Sequence, residues 1–264
     1  MRKASMAGTI LALLILLTAI PVRSATTPLS GQKICLDPGH RGSALGALNE
    51  AEDLKEKDIN LDVAYGLKAL GVADGAEVVM TRTDDSSKSN NDRYTFCNEA
   101  QATILVSVHT SSVSESTVDG SLALYFHKDD KVLAQAIYDK MYPVLGATAP
   151  EGVDFTDLGL DRFASGVLLK SDMPAAIMEP LFMSNSAEAE LLTITMHVVD
   201  YEGVMVLDAD GNPTPNPNCN CCRRAQIASA IYAGILNYFS QGGGGGDGGG
   251  GGPPCDSPTC GRGR

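Results

Sequence analysis

The sequence predicts an α/β fold: a single domain with a mainly parallel, twisted sheet and helices on both faces. Three observations point there. Short apolar or β-branched runs alternate with helical stripes from residue 33 to residue 239, the pattern of βαβ units. Roughly 215 residues lie between an apolar leader and a glycine-rich end, enough for one good-sized domain on a scale of roughly 100 to 200 residues. Three of the runs stop on, or just before, a histidine or glutamate: His40, His109 and Glu179. In sheets of this kind ligands bind beyond the carboxyl ends of the strands.

Residues 33–36 read as a short buried strand, closed by the turn Asp37-Pro38-Gly39-His40. Residues 44–50 are small and glycine-containing, and read as loop. A helix follows over 55–70, because Ile59, Val63, Leu67 and Leu70 recur at helical spacing, with Glu56 in its first turn. Residues 76–80 form the next strand, and a polar loop continues through Asn91. A helix over 92–100 leads to the β-branched strand 103–108, "TILVSV", which runs into His109. Further strands are expected at 122–126 and 175–178, and further helices at 132–145, 187–192 and 224–239.

The ends fall outside the domain. Arg2 and Lys3 precede the apolar run 10–20 and a small-residue site, the pattern of a signal peptide over 1–24. Residues 25–31 are then a short linker and 32–241 the folded domain. Residues 242–264 are nearly all glycine at first and cannot bury a core, so a disordered tail is expected. After cleavage no transmembrane span is left, and the protein is expected to be secreted, periplasmic or cell-wall associated.

A net charge of -12 and a pI near 4.7 exclude nucleic acid as a natural partner, since phosphate binding needs clustered Lys and Arg. Seven cysteines in an exported chain make disulfides feasible, and the odd number leaves at least one unpaired within a monomer. Cys219-Asn220-Cys221-Cys222 lacks the second ligand pair of a zinc knot and reads as a disulfide loop. Cys35 and Cys97 read as buried small hydrophobes.

A hydrolytic zinc site needs three imidazole or carboxylate ligands and an open position for water. His40, His109 and Glu56 supply such a set, and Glu179 stands as general base. His127 and His197 have no ligand partners at workable spacing. Arg82 and Arg93 are expected to position loops by pairing with Asp84, Asp85 or Asp92. By themselves these residues give a metal-dependent hydrolase.

Five segments, in order, resemble the zinc-dependent N-acetylmuramoyl-L-alanine amidases. "DPGHRG" resembles the family's Asp-Pro-Gly-His-Gly-Gly, "KEKDINL" its Glu-Lys-Asp segment, and "TRTDD" its Thr-Arg loop. "RYTFCNEAQATILVSVHTSS" resembles its Arg-to-Asn helix leading to Ser-x-His, and "MPAAIMEPLFMSN" its Met-Pro-Ala-x-x-x-Glu-x-x-Phe-x-Ser-Asn. The resemblance implies that His40, Glu56 and His109 hold Zn2+ and that Glu179 is the catalytic carboxylate. It further implies peptidoglycan as partner and hydrolysis of the bond between N-acetylmuramic acid and L-alanine. Arg41, Ser112 and Asn185 are candidate substrate contacts.

The departures are specific. Arg41 replaces the first glycine after the histidine, Thr110-Ser111-Ser112 replaces Ala-Asn-Ala or a similar triplet, and Pro180 follows the glutamate. A segment at about 196–222 looks inserted; its Asp208-Ala209-Asp210-Gly211-Asn212 lacks the terminal glutamate of a calcium loop and reads as a β-turn. A wall-binding protein with impaired turnover and a zinc peptidase acting on free peptides are the alternative functions.

Overall fold

Strands that are apolar on both faces set the architecture. In β1 (Lys33–Pro38), Ile34 and Leu36 enter one core while Cys35 enters another, and β5 (Ile104–Val108) and β8 (Ala175–Glu179) divide their side chains in the same way. Alternate side chains leave a strand on opposite faces, so such a sheet needs cover on both. The larger core lies under α1 (Glu56–Ala73), α3 (Lys128–Ala147) and α6 (Arg223–Ser240); the smaller lies under α2 (Asn90–Glu99) and α4 (Gly166–Lys170). This computed structural model describes residues 27–86, 88–200 and 203–242; the expected signal peptide and all but the first residue of the expected tail lie outside them.

The main sheet has six strands in the order β4-β1-β5-β8-β6-β7, with β4 at Glu77–Met80, β6 at Asp119–Tyr125 and β7 at Phe155–Arg162. β4, β1, β5 and β8 run parallel; β6 is antiparallel to β8, and β7 is parallel to β6. A small hairpin of β2 (Leu48–Asn49) and β3 (Leu54–Lys55) precedes α1, and α5 is Ser186–Leu192. The mainly parallel α/β fold expected from the sequence is the fold observed. It places the carboxyl ends of β1, β5 and β8 side by side.

Where expectation and structure differ, local physics gives the reason. β7 is an edge strand with mostly exposed side chains and no apolar alternation, and α4 is five residues long, so neither leaves a periodic signal. α2 begins earlier than expected because Ser89 caps it: Ser89 Oγ accepts from Asp92 N at 3.2 Å, and Asp92 Oδ2 accepts from Ser89 N at 2.8 Å. The presumed linker 25–31 includes Leu29, which is fully buried and whose N–H donates to Asp74 O, so the folded unit starts before residue 32. Among the described residues of this segment, His197 bridges Pro215, Val199 bridges Met205 and Leu207 bridges Pro213, and Asp208 Oδ1 accepts from Asp210 N and Asn212 N, a turn as expected.

Two ties cross the smaller core. Cys35 and Cys97 form a disulfide, which corrects their reading as free hydrophobes: the odd face of β1 looks directly at α2, with the two Cα atoms 5.7 Å apart. Cys219 and Cys222 are also bridged. Beside the first disulfide, Arg93 Nε donates to Asp37 Oδ1 at 2.6 Å and its Nη2 to Asp37 Oδ2, with Ser107 and Thr81 hydroxyls completing the carboxylate's shell. Burial disfavours the charge on Asp37, but the Arg93 guanidinium and these hydrogen bonds outweigh it and hold the carboxyl below its usual 3.8. Arg93 therefore pairs across to β1 and not with the loop aspartates expected of it.

Arg93→Met leaves a buried carboxylate unpaired and is expected to lower stability by about 3–5 kcal/mol in urea unfolding, whereas a loss below about 1 kcal/mol would contradict this role. Because the native pKa of Asp37 is depressed, its stabilisation is complete above the unfolded value of 3.8 and is lost as pH falls through the native one. The bridge between Cys35 and Cys97 closes a long loop, with a sequence separation of 62. Replacing both cysteines with alanine should cost about 2–4 kcal/mol by the same measurement, and unchanged stability would count against the tie.

Candidate active site

Each candidate ligand is delivered by a different device. β1 ends at Pro38, Gly39 N donates to Val108 O at 2.8 Å, and His40 follows in the left-handed region with φ 58°. The next turn is pinned from outside: Gly42 N donates to Asp85 Oδ1 at 2.6 Å, and Lys57 Nζ reaches both Gly42 O and Asp85 Oδ2. Arg82 fastens this turn to the start of α1 through four carbonyls, those of Pro38, Gly39, Lys57 and Asp84. The sequence assigned Arg82 to aspartate side chains; the structure gives it backbone oxygens, which no side-chain pattern announces.

Glu56 is the first residue of α1, and the β2-β3 hairpin fixes it there, with Glu56 N donating to Ala47 O at 3.0 Å. His109 follows β5 directly and donates its N–H to Met178 O at 3.0 Å, which ties the ends of β5 and β8 together. Glu179 is the last residue of β8. Four residues from distant parts of the chain thus meet above three adjacent strands.

The geometry is close. Glu56 Oε2 lies 3.1 Å from His40 Nε2 and Glu56 Oε1 lies 2.9 Å from His109 Nδ1, while the two imidazole rings stand edge to face with centroids 4.9 Å apart. One ligand atom from each of His40, Glu56 and His109 lies within 4.8 Å of the others, and among the described residues this is the one group of His, Cys, Asp and Glu so arranged. Two imidazoles and a carboxylate form the donor set of a hydrolytic zinc centre. Two glycines make room: a Cβ on Gly39 would stand 2.4 Å from the His109 ring, and one on Gly46 would stand 2.5 Å from Glu56 Oε2 and 2.6 Å from the His40 ring.

Electrostatics follow from the same contacts. Burial works against ionisation of Glu56, yet hydrogen bonds from His109 and His40 and from Ala47 N hold its carboxyl far below the usual range. For His109, burial opposes the proton, but Glu56 and then Glu179 outweigh it and raise the imidazole pKa. Burial pushes Glu179 up to about 7, opposed by His109 and helped by the Glu56 carboxylate. Asn60, which no sequence motif singled out, donates to Glu56 Oε1 at 3.2 Å and accepts from Thr110 Oγ1 at 2.9 Å. It sits one helical turn after Glu56, and that spacing was the available signal.

A cavity of about 320 Å³ opens beside the ligands, bounded by Thr110, Ser111, Ser112 and Glu179. Arg41 lines a neighbouring cavity with His40 and His109, and Ser112 lines the cavity of Glu179. Asn185 lines neither. Its Oδ1 accepts from Ala187 N and Glu188 N, its Nδ2 donates to Thr117 O, and the residue is buried, so it is the cap of α5. His197 pairs with Asp62 at 2.6 Å, and His127 N is held by Asp130, both away from the centre.

Residues 34–197 match the sequence profile of the N-acetylmuramoyl-L-alanine amidases. The chain belongs to that family. Among its amidase-family relatives, the probable cell wall amidase LytH of Staphylococcus saprophyticus is 32% identical over 171 residues, which are 64% of this chain and 54% of the relative. The germination-specific N-acetylmuramoyl-L-alanine amidase of Bacillus subtilis is 27% identical over 232 residues, 81% of this chain and 82% of the relative. The solved catalytic domain of CwlV, an N-acetylmuramoyl-L-alanine amidase from Bacillus (Paenibacillus) polymyxa, shares the fold with a TM-score of 0.62 at 23% identity, covering 79% of this chain and 98% of that one. The chain spans about half the length, or less, of the first relatives it matches.

The Gly46 contact has a direct consequence. Gly46→Ala, at φ 73° and against the candidate ligands Glu56 and His40, is expected to weaken divalent-metal uptake at this candidate site by about 10–100-fold in a chelator competition assay. Unchanged affinity would contradict the close packing described.

Proposed function

We propose that this amidase-family protein hydrolyses the amide between the lactyl group of N-acetylmuramic acid and L-alanine in peptidoglycan, using zinc held by His40, Glu56 and His109. One observation carries the reading: the three donors come within 4.8 Å of one another, at the strand ends that also hold Glu179. Zinc held by these three residues would supply Lewis acidity toward an amide carbonyl and toward water.

The chain's own groups do the rest. Glu56 offers a carboxylate, and the imidazole protons that face it would leave as His40 and His109 bound a metal. Glu179 takes a proton from the attacking water and returns it to the leaving nitrogen, work suited to a carboxyl group poised near neutrality. Thr110 N and Asn60 keep Glu56 oriented, the part that outer hydrogen bonds play around ligating groups. We assign substrate contact to Ser112, an exposed residue lining the cavity.

Export is part of this reading. Relatives are cell wall amidases by name, the disulfides suit an oxidising compartment, and no helix among the described residues is long and apolar enough to cross a membrane. Purified peptidoglycan tests the activity: the digest should gain free muramic lactyl carboxyl groups together with N-terminal alanine. A wall-binding protein would release neither, and a peptidase would cut sugar-free peptides instead. Glu179→Gln should keep its zinc and lose turnover by at least about 100-fold; a variant that retains activity would refute the role given to Glu179.

A further inference from the structure

Two chambers meet at the imidazole pair. One is the cavity holding Glu179; the other, of about 310 Å³, shares only His40 and His109 with it and is walled by Arg41, Asn90, Arg93 and Phe163. The chambers differ in charge. Apart from the imidazoles, the first has no basic residue and contains the carboxyl groups of Glu56 and Glu179, whereas the second contains two guanidinium groups.

Of these two, Arg93 is neutralised by Asp37, and its remaining Nη1 faces Asn90 Oδ1 at 3.4 Å. Arg41 has no such partner. Its Nε is buried without a hydrogen-bond acceptor, and among the described residues no carboxylate forms an ion pair with it; Asp37 and Asp92 act on it only through longer-range attraction, against repulsion from Arg93. A buried donor without an acceptor is costly, and a guanidinium fork matches a carboxylate in shape and charge. The backbone carrying it is already fixed, since Arg41 and Ala44 exchange hydrogen bonds at 2.9 and 2.8 Å and the neighbouring Gly42 is held by Asp85 and Lys57. Little ordering would be needed on binding. Phe163, 49% exposed, adds an apolar wall for the aliphatic carbons of a peptide.

We infer that Arg41 is a specificity residue binding a free carboxylate on the peptide flank of the substrate, which places the peptide in the second chamber and the neutral sugar in the chamber of Ser111 and Ser112. This rests on the amidase reading, because the scissile amide then joins an uncharged acyl flank to an amine flank that bears carboxylates. Arg41 stands where the resembled motif has glycine.

The test compares N-acetylmuramoyl-L-alanyl-D-glutamate, whose side-chain and terminal carboxylates are both free, against the same compound amidated at both. The wild-type protein should favour the free acid by about 10–100-fold in kcat/KM, expressed in KM, and Arg41→Gln and Arg41→Gly should bring the ratio near one while zinc content stays at the wild-type level. An absent preference in the wild type, or one that survives in both variants, overturns the inference. If neither compound is hydrolysed, the amidase reading fails on its own, and calorimetric binding of L-alanyl-D-glutamate against its diamide decides the Arg41 site. Tighter binding of the acid that vanishes in Arg41→Gln supports the site, and equal binding by the wild type removes it.

Discussion

Two imidazoles on neighbouring strand ends close on one buried carboxylate, and the remaining features of the site serve that contact. Glu56 would pay heavily for its burial if left alone. Instead it accepts hydrogen bonds from His40, His109, Ala47 N, Thr110 N and Asn60, which keep it charged inside the protein. Ala47 N, Thr110 N and Asn60 aim the carboxylate independently of a metal, while the imidazole protons that face it would leave if a metal took those nitrogens. That is preorganisation in the physical sense: the geometry is settled before any substrate arrives.

The sheet and its ties explain why the contact holds. β1, β5 and β8 are adjacent and parallel, so the residues that follow them cannot drift apart without breaking strand pairing. Arg82 clamps the His40 turn to the head of α1, while the Asp37–Arg93 pair and the Cys35–Cys97 disulfide anchor β1 to α2 on the opposite face. Buried charge in this region is paired around Asp37, and Arg41 next to it, whose buried Nε has no acceptor among the described residues, stands out against that background.

Much of this was legible in the sequence because it depends on local rules. A buried run ending in Asp-Pro-Gly-His says that a strand stops and a histidine follows, and "TILVSV" before His109 says the same. Helical spacing placed Glu56 in a first turn, and the five resembled motifs joined residues that periodicity could not. What stayed hidden depends on who faces whom across space. Asp37 and Arg93 are 56 residues apart, and nothing in either neighbourhood names the other. Cys35 shows its partner only once α2 lies across β1. Arg82 bonds to carbonyls, which every residue has. Asn185 matched a family position, yet its side chain lies at a helix start, where its Oδ1 caps α5 and its Nδ2 donates to Thr117 O.

The central claim is that His40, Glu56 and His109 share one zinc ion. X-ray absorption at the zinc edge, on purified protein with metal content measured in parallel, tests it most directly. The account predicts one zinc per chain in a shell of nitrogen and oxygen at about 2.0–2.2 Å, with imidazole outer scattering. A shell dominated by sulfur at about 2.3 Å would place the metal on cysteines, and that result, or a chain that takes up no zinc, would contradict it.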